Sequence, residues 1–362
     1  MTKVYHFTGH LTRPLLSPRD VLKEYPLSLK QMRFVEKSRN TIKKILNGED
    51  DRVLLIVGPC SIHDIDATIE YAKKLAHLSH SVSDSFFIVM RIYYEKPRTT
   101  LGWKGMMYDP QLDGSNDINA GIRSTRKLLS EITDIELPIA AEILDPTAIH
   151  YFGDYLSWGC VGARTTTSQI HRQAASGMVI PIAFKNNTDG NIDVAIQGVI
   201  TAKEPHSYYG INDAGCISII NSEGNPNCHI ALRGGESGTN YDPESIENAL
   251  CLLEKAGLPK RVIIDCSHDN SKRVYEKQVE VFHEILKQVL EGNKHIKGVI
   301  LESNLFAGSQ EMPENPTHLK YGVSITDPCL DWGSTSNLIL TANKILIENR
   351  QEEIAWNQPS CP

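Results

Sequence analysis

What constrains this chain most is a series of short, unbroken apolar runs, each far enough from the next to leave room for a helix. They lie at 52–57 (RVLLIV), 86–94 (FFIVMRIYY), 138–144 (PIAAEIL), 159–165 (GCVGART), 180–186 (IPIAFKN), 229–235 (HIALRGG), 261–268 (RVIIDCSH) and 298–303 (GVILES). A strand with one wet face alternates polar and apolar residues, whereas these runs do not alternate. They therefore fit parallel strands covered on both faces. Amphipathic segments fall between them. Residues 66–79 put Ile69, Ala72, Leu75 and Ala76 on one face, and 245–256 put Ile246, Ala249, Leu250 and Leu253 on one face before a stop at Gly257. Residues 273–290 repeat the pattern with Val274, Val281, Ile285, Leu286 and Val289.

Eight strands alternating with helices predict an α/β protein of the (β/α)8 TIM-barrel type. An open doubly wound sheet is the alternative, but no G-x-G-x-x-G follows the first strand. Two segments exceed a minimal barrel. Residues 1–50 form an N-terminal extension with a helix at 31–46, and 204–228 carry a CISII run between turn signals, predicting a β-hairpin inserted between strands five and six. The barrel proper is expected over 51–348, and 349–362 as a polar, fraying tail.

Charge and cysteine usage narrow the class. A net charge of -7 argues against a polyanion binder, so no nucleic-acid partner is expected. The eight cysteines form no C-x-x-C pair, and the N-terminus has no apolar leader. No run approaches the roughly 18 apolar residues of a membrane span. These features predict a reduced, cytoplasmic protein without a membrane partner.

Chemistry in a barrel of this type gathers where strands end. The ends supply Cys60, Arg91, Lys96, Glu142, Arg164, Lys185, Arg233, His268 and Glu302 in order. With Arg98, six of these mouth positions are cationic in an acidic chain, which predicts a small, polyanionic, phosphorylated substrate set. Cys60, His268, Glu302 and Asp327 (in SITDPC) form a mixed sulfur, nitrogen and oxygen set suited to a divalent transition metal. Spacing leaves other roles open. Cys60 could be a nucleophile with His268 as base, His268 a hydrogen-bonded loop residue, and Asp327 a helix cap. His63 competes as a ligand or bonds the local turn, and Asp64 or Asp66 caps the following helix.

GPCSIHD (58–64), RIYYEKPRTTLGWKG (91–105), WGCVGARTT (158–166) with SQIHR, KNNTDG, HIALRGG, DCSH and YGVSITDPCLDW (321–332) together resemble the 3-deoxy-D-arabino-heptulosonate 7-phosphate (DAHP) synthases of the microbial type I class. The likeness runs from about residue 10 to about residue 348. It implies a (β/α)8 barrel that condenses phosphoenolpyruvate with erythrose 4-phosphate, releasing phosphate, at the head of the shikimate pathway to aromatic amino acids. It further implies a divalent metal (Mn, Fe, Co or Zn) on Cys60, His268, Glu302 and Asp327. Phosphoenolpyruvate would contact Arg91, Lys96, Glu142, Arg164, Lys185 and Arg233, and Ala163, His268 and Asp327 would also bind substrate. Lys96, Pro97, Arg98 and Thr99 would hold erythrose 4-phosphate. The catalytic groups implied are Lys96, Glu142, His268 and Cys60. The extension and hairpin would form a feedback site for an aromatic amino acid, and YPLSLKQ, EILDP, FGDYLSW and YYGINDAG are most similar to the tyrosine-inhibited isoenzymes. A homodimer or homotetramer is implied.

Some positions depart from the family pattern. GFKNGTDG is AFKNNTDG here, with Ala183 and Asn187; ESQ is TSQ, with Thr167; SHGNS is SHDNS, with Asp269. Asn187 is expected to keep a glycine-like turn at positive φ. Rival readings are a Schiff-base aldolase using Lys185, a related phosphoenolpyruvate-using synthase with another aldose phosphate, and a non-catalytic amino-acid-sensing paralogue.

Overall fold

A computed structural model describes residues 13–356, so what was expected of 1–12 and 357–362, Cys361 included, lies outside the described residues. Eight parallel strands close into a barrel: β1 (Val53–Gly58), β2 (Phe86–Arg91), β3 (Ile139–Glu142), β4 (Leu156–Val161), β5 (Ile182–Lys185), β8 (His229–Leu232), β9 (Val262–Asp265) and β10 (Ile296–Glu302). Between β5 and β8 stands an antiparallel hairpin, β6 (His206–Ile211) and β7 (Ile217–Ser222), within the expected insertion. The outer helices are α3 (Ile65–Ser81), α4 (Ile118–Asp134), α5 (Ile149–Phe152), α6 (Gln169–Ser176), α7 (Asp193–Lys203), α8 (Pro243–Lys255), α9 (Gln278–Leu290) and α10 (Trp332–Trp356). Asp64, not Asp66, caps α3, accepting from the Ala67 amide at 3.0 Å.

Strand alternation sorts the apolar residues into two cores. Leu55 and Val57 of β1 face the helices, while Leu54 and Ile56 face the barrel interior with Val89, Ala140, Trp158, Ala183, Ala231, Ile263 and Ile300. Two helices precede the barrel, α1 (Pro18–Glu24) and α2 (Leu29–Asn47). Helix α2 starts with a capping box, Ser28 with Gln31, and its Ile42, Ile45 and Leu46 join the interior cluster. Arg39 fixes it by donating to the Leu156 carbonyl at 2.8 Å and the Gly153 carbonyl at 2.6 Å. The extension thus closes the N-terminal end of the barrel, and the polar groups gather at the opposite end. Midway, the Trp158 indole donates to His229 Nε2 at 3.2 Å, and burial pushes that imidazole down to about 3, keeping it neutral.

Some boundaries differ from expectation; the strand expected at 159–165 runs Leu156–Val161. Helix α10 continues through Trp356, past the point where a tail was expected at 349. The helix expected from 273 begins at Gln278, because Lys272 and Arg273 adopt left-handed backbone (φ 52° and 59°) and a short turn at Tyr275–Lys277 intervenes. No helix among the described residues is long and apolar enough to cross a membrane. Replacing Ile45, fully buried between α2 and the barrel interior, with Ala is expected to lower stability by about 2–5 kcal/mol in urea unfolding.

Candidate active site

At the C-terminal end the interior changes from apolar to ionic within one layer. Gly58 pairs with Glu302 and Ile300 with Asp265, so two carboxylates emerge on adjacent strands beside an inward position that has no side chain. A Cβ on Gly58 would lie 2.9 Å from the Arg91 carbonyl and 3.2 Å from its Cβ; the glycine admits Arg91. Arg91 crosses this floor fully buried, donating to Glu302 Oε1 at 2.8 Å while the Tyr93 ring centroid lies 3.9 Å from its guanidinium. The Gln278 side chain holds the Glu302 peptide through both its amide and its carbonyl, at 2.8 and 3.1 Å.

Asp265 is the second pivot. It is fully buried and accepts from Lys185 Nζ at 2.7 Å, with His268 Nδ1 2.9 Å from the same oxygen. Burial pushes its carboxyl up, but His268 and Lys185 outweigh that and hold it well below the ordinary range. Burial likewise opposes the Lys185 charge, and Asp265 more than restores it, so the ammonium is the stable form. A protonated Lys185 is a poor Schiff-base nucleophile.

Cys60 follows β1, with its sulfur 3.1 Å from Lys96 Nζ and 3.4 Å from Asp327 Oδ2. Burial, reinforced by Glu302, pushes its thiol up to about 12. Glu302 and Asp327 are also opposed by burial, yet remain below the usual carboxylate range through His268, Arg91 and Lys96 for the first and Lys96 and His268 for the second. The ligand atoms of Cys60, Glu302 and Asp327 lie within 4.8 Å of one another, forming a possible metal site. Two carboxylates and a thiol packed this closely suit a divalent cation, which would displace the thiol proton. His268 stands beside this group, with Nε2 3.9 Å from Glu302 Oε1, in left-handed backbone at φ 56°. Among the described residues the His63 side chain has no hydrogen bond to its turn, and its Nδ1 is buried without a partner there.

A cavity of about 240 Å³ opens over this floor. Its walls include Arg91, Lys96, Pro97, Arg98, Thr99, Glu142, Ala163, Arg164, Lys185, Arg233, His268 and Asp327, which are the residues expected to bind substrate.

The model of the DAHP synthetase I family matches residues 24–339. The chain belongs to the DAHP synthetase I family. It is 44% identical over 332 residues to the Tyr-sensitive phospho-2-dehydro-3-deoxyheptonate aldolase of Escherichia coli (strain K12), covering 91% of this chain and 93% of the relative. The Phe-sensitive enzyme of the same organism is 46% identical over 327 residues, covering 90% and 93%. The solved phospho-2-dehydro-3-deoxyheptonate aldolase of Francisella tularensis superposes with a TM-score of 0.89 at 42% identity, covering 92% of this chain and 98% of that one. The activity is DAHP synthesis, that of a type I DAHP synthase.

Several residues of this cavity and the floor beneath it were not legible in the sequence. Asp265 was hidden inside the apolar run VIIDC, although an Asp among buried strand residues is itself a signal that a cation must meet it. Tyr93, Thr188 and Arg273 also line the cavity, and no sequence signal singled them out. The departures resolve differently. Asn187 does not adopt positive φ; the left-handed position in its turn falls on Gly190 at φ 99°, whose amide donates to the Asn187 carbonyl at 3.1 Å. Ala183 fills the barrel interior, and Thr167 is exposed.

Gly162 was also overlooked. A Cβ there would collide with Glu142 Oε1. Its φ is not positive, so alanine suits the backbone and only the carboxylate must move. Gly162→Ala, which displaces the carboxylate expected to act in catalysis, should therefore cut kcat/KM by roughly a hundredfold, with a melting temperature close to that of the parent.

Proposed function

We propose that this DAHP synthase joins phosphoenolpyruvate to erythrose 4-phosphate in the cavity above Glu302 and Asp265. The observation that carries the reading is the convergence of every anticipated cation on one cavity beside the Cys60, Glu302 and Asp327 group. Cys60, His268, Glu302 and Asp327 would hold a divalent ion (Mn, Fe, Co or Zn), which when bound supplies Lewis-acid polarisation of the aldehyde oxygen. Arg91, Arg164, Lys185 and Arg233 take the carboxylate and phosphate of phosphoenolpyruvate, with Ala163 packing beside them. Arg98 and Thr99 take the phosphate of the aldose, and Pro97 shapes that wall. The enol carbon attacks the aldehyde carbon, and Lys96 gives a proton to the developing alkoxide. Water adds at the phosphate-bearing carbon with Glu142 taking its proton, and C–O cleavage releases inorganic phosphate. Lys96 suits the donor role because burial, which opposes its charge, is outweighed by Cys60, Glu302 and Asp327.

A second cavity, of about 630 Å³, lies between the hairpin and helices α5 and α6. Tyr208 and Ile220 of the hairpin face Ile149, His150 and Met178 across it. An apolar body with polar ends fits such a mixed wall, and the Tyr- and Phe-sensitive names of the relatives support an aromatic amino acid here, tyrosine favoured. The outer face of the hairpin leaves Tyr209, Ile217 and Ile219 82, 83 and 78% exposed, which supports a homodimer or homotetramer, distinguishable from a monomer by sedimentation.

With both substrates, phosphoenolpyruvate consumption should be abolished by EDTA and restored by Mn²⁺ or another divalent metal. Lys96→Met should lower kcat by at least about a hundredfold; near-normal turnover removes Lys96 as the proton donor. Isothermal titration with tyrosine, phenylalanine and tryptophan should give heat with tyrosine, and Ile220→Arg should abolish that heat while leaving turnover within about twofold, as expected away from the catalytic groups. No heat with any of the three defeats the feedback reading.

A further inference from the structure

The carboxylate at position 269, where the family pattern has glycine, enters the cation cluster directly. Asp269 Oδ2 accepts from Arg233 Nη1 at 2.6 Å, and Oδ1 accepts from Arg273 Nε at 3.1 Å. Both arginines line the substrate cavity. Asp269 therefore bridges a buried cation, with an Arg233 side chain 4% exposed, and a rim cation, with an Arg273 side chain 58% exposed. The loop that carries it has a costly shape: His268, Lys272 and Arg273 all have left-handed backbone although none is glycine.

Asp269 is not needed to place the Arg233 backbone. The Arg233 amide donates to Asn186 Oδ1 at 2.8 Å, its carbonyl accepts from the Asn270 amide at 3.2 Å, and its Nη1 also reaches the Gly234 carbonyl at 3.4 Å. What the carboxylate adds is a negative charge and a claim on one guanidinium nitrogen. The buried partners of Arg91 and Lys185, Glu302 and Asp265, lie in the ionic floor; the partner of Arg233 is 19% exposed on the loop beside the cavity.

We propose that Asp269 is a specificity-determining residue, an internal counter-ion that competes with the anionic group of phosphoenolpyruvate for Arg233. Substrate entry exchanges the Arg233–Asp269 pair for an Arg233–substrate pair, and the displaced carboxylate stays on Arg273. The exchange weakens phosphoenolpyruvate binding relative to a chain with glycine at 269 and leaves the aldose side, at Arg98 and Thr99, unaffected. This rests on the reading that Arg233 holds phosphoenolpyruvate.

The test is Asp269→Asn, which keeps an acceptor for Arg233 and removes the charge, with Asp269→Gly beside it. Steady-state kinetics would vary each substrate separately, with inorganic phosphate as a competitive probe. In both variants the KM for phosphoenolpyruvate and the Ki for phosphate should fall on the order of tenfold, the scale of one charge-assisted hydrogen bond. The KM for erythrose 4-phosphate and kcat should stay within about twofold. A purely structural Asp269 would instead lower the melting temperature and raise both KM values, and that result overturns the proposal. An unchanged phosphoenolpyruvate KM and phosphate Ki in a well-folded Asp269→Asn protein overturns it too, leaving the role of Arg233 intact. A fall confined to the erythrose 4-phosphate KM overturns the assignment of Arg233 itself, and this proposal with it.

Discussion

The Arg91–Glu302 pair governs this molecule because both charges are fully removed from water at the point where the barrel core ends. Losing one partner would strand the other as an uncompensated buried charge, costing about 3–5 kcal/mol. The neighbouring Lys185–Asp265 pair obeys the same rule. Together they make an electrically balanced floor whose Arg91 and Lys185 line the cavity and whose Glu302 carboxylate stands beside Cys60. One layer of paired charge can therefore adjoin both a cavity walled by cations and a possible cation site.

That floor depends on features far from it. The barrel interior below is lined by apolar side chains, and Ile42, Ile45 and Leu46 of α2 pack into it from the other end. Small residues at the top are equally necessary. Gly58 gives Arg91 its path and Gly162 gives the Glu142 carboxylate its space. Fold and site are thus joined through packing, and uncharged residues decide where the charged groups stand.

Much of this was legible in the chain. Unbroken apolar runs ending in ionisable residues specified parallel strands and their functional ends, since only buried strands lack alternation and only their ends reach water. The inserted hairpin announced itself through turn residues flanking CISII. Features that depend on a partner brought from elsewhere stayed hidden: Asp265 looks like an interruption in a strand until Lys185 and His268 are seen on it. Asn187 misled for the opposite reason, because a residue able to adopt positive φ need not do so when Gly190 takes that position.

By itself the sequence determined the strand and helix order, the cationic character of the barrel mouth and the donor types available for a metal. These follow from periodicity and residue chemistry, which are local. The tertiary structure alone decided which charge faces which. It paired Arg91 with Glu302, placed three of the four anticipated ligands within 4.8 Å with His268 beside them, and set Asp269 between Arg233 and Arg273. Electrostatic partnership depends on distances of a few ångströms between residues as much as 267 positions apart in the chain, and only closure of the barrel fixes those distances.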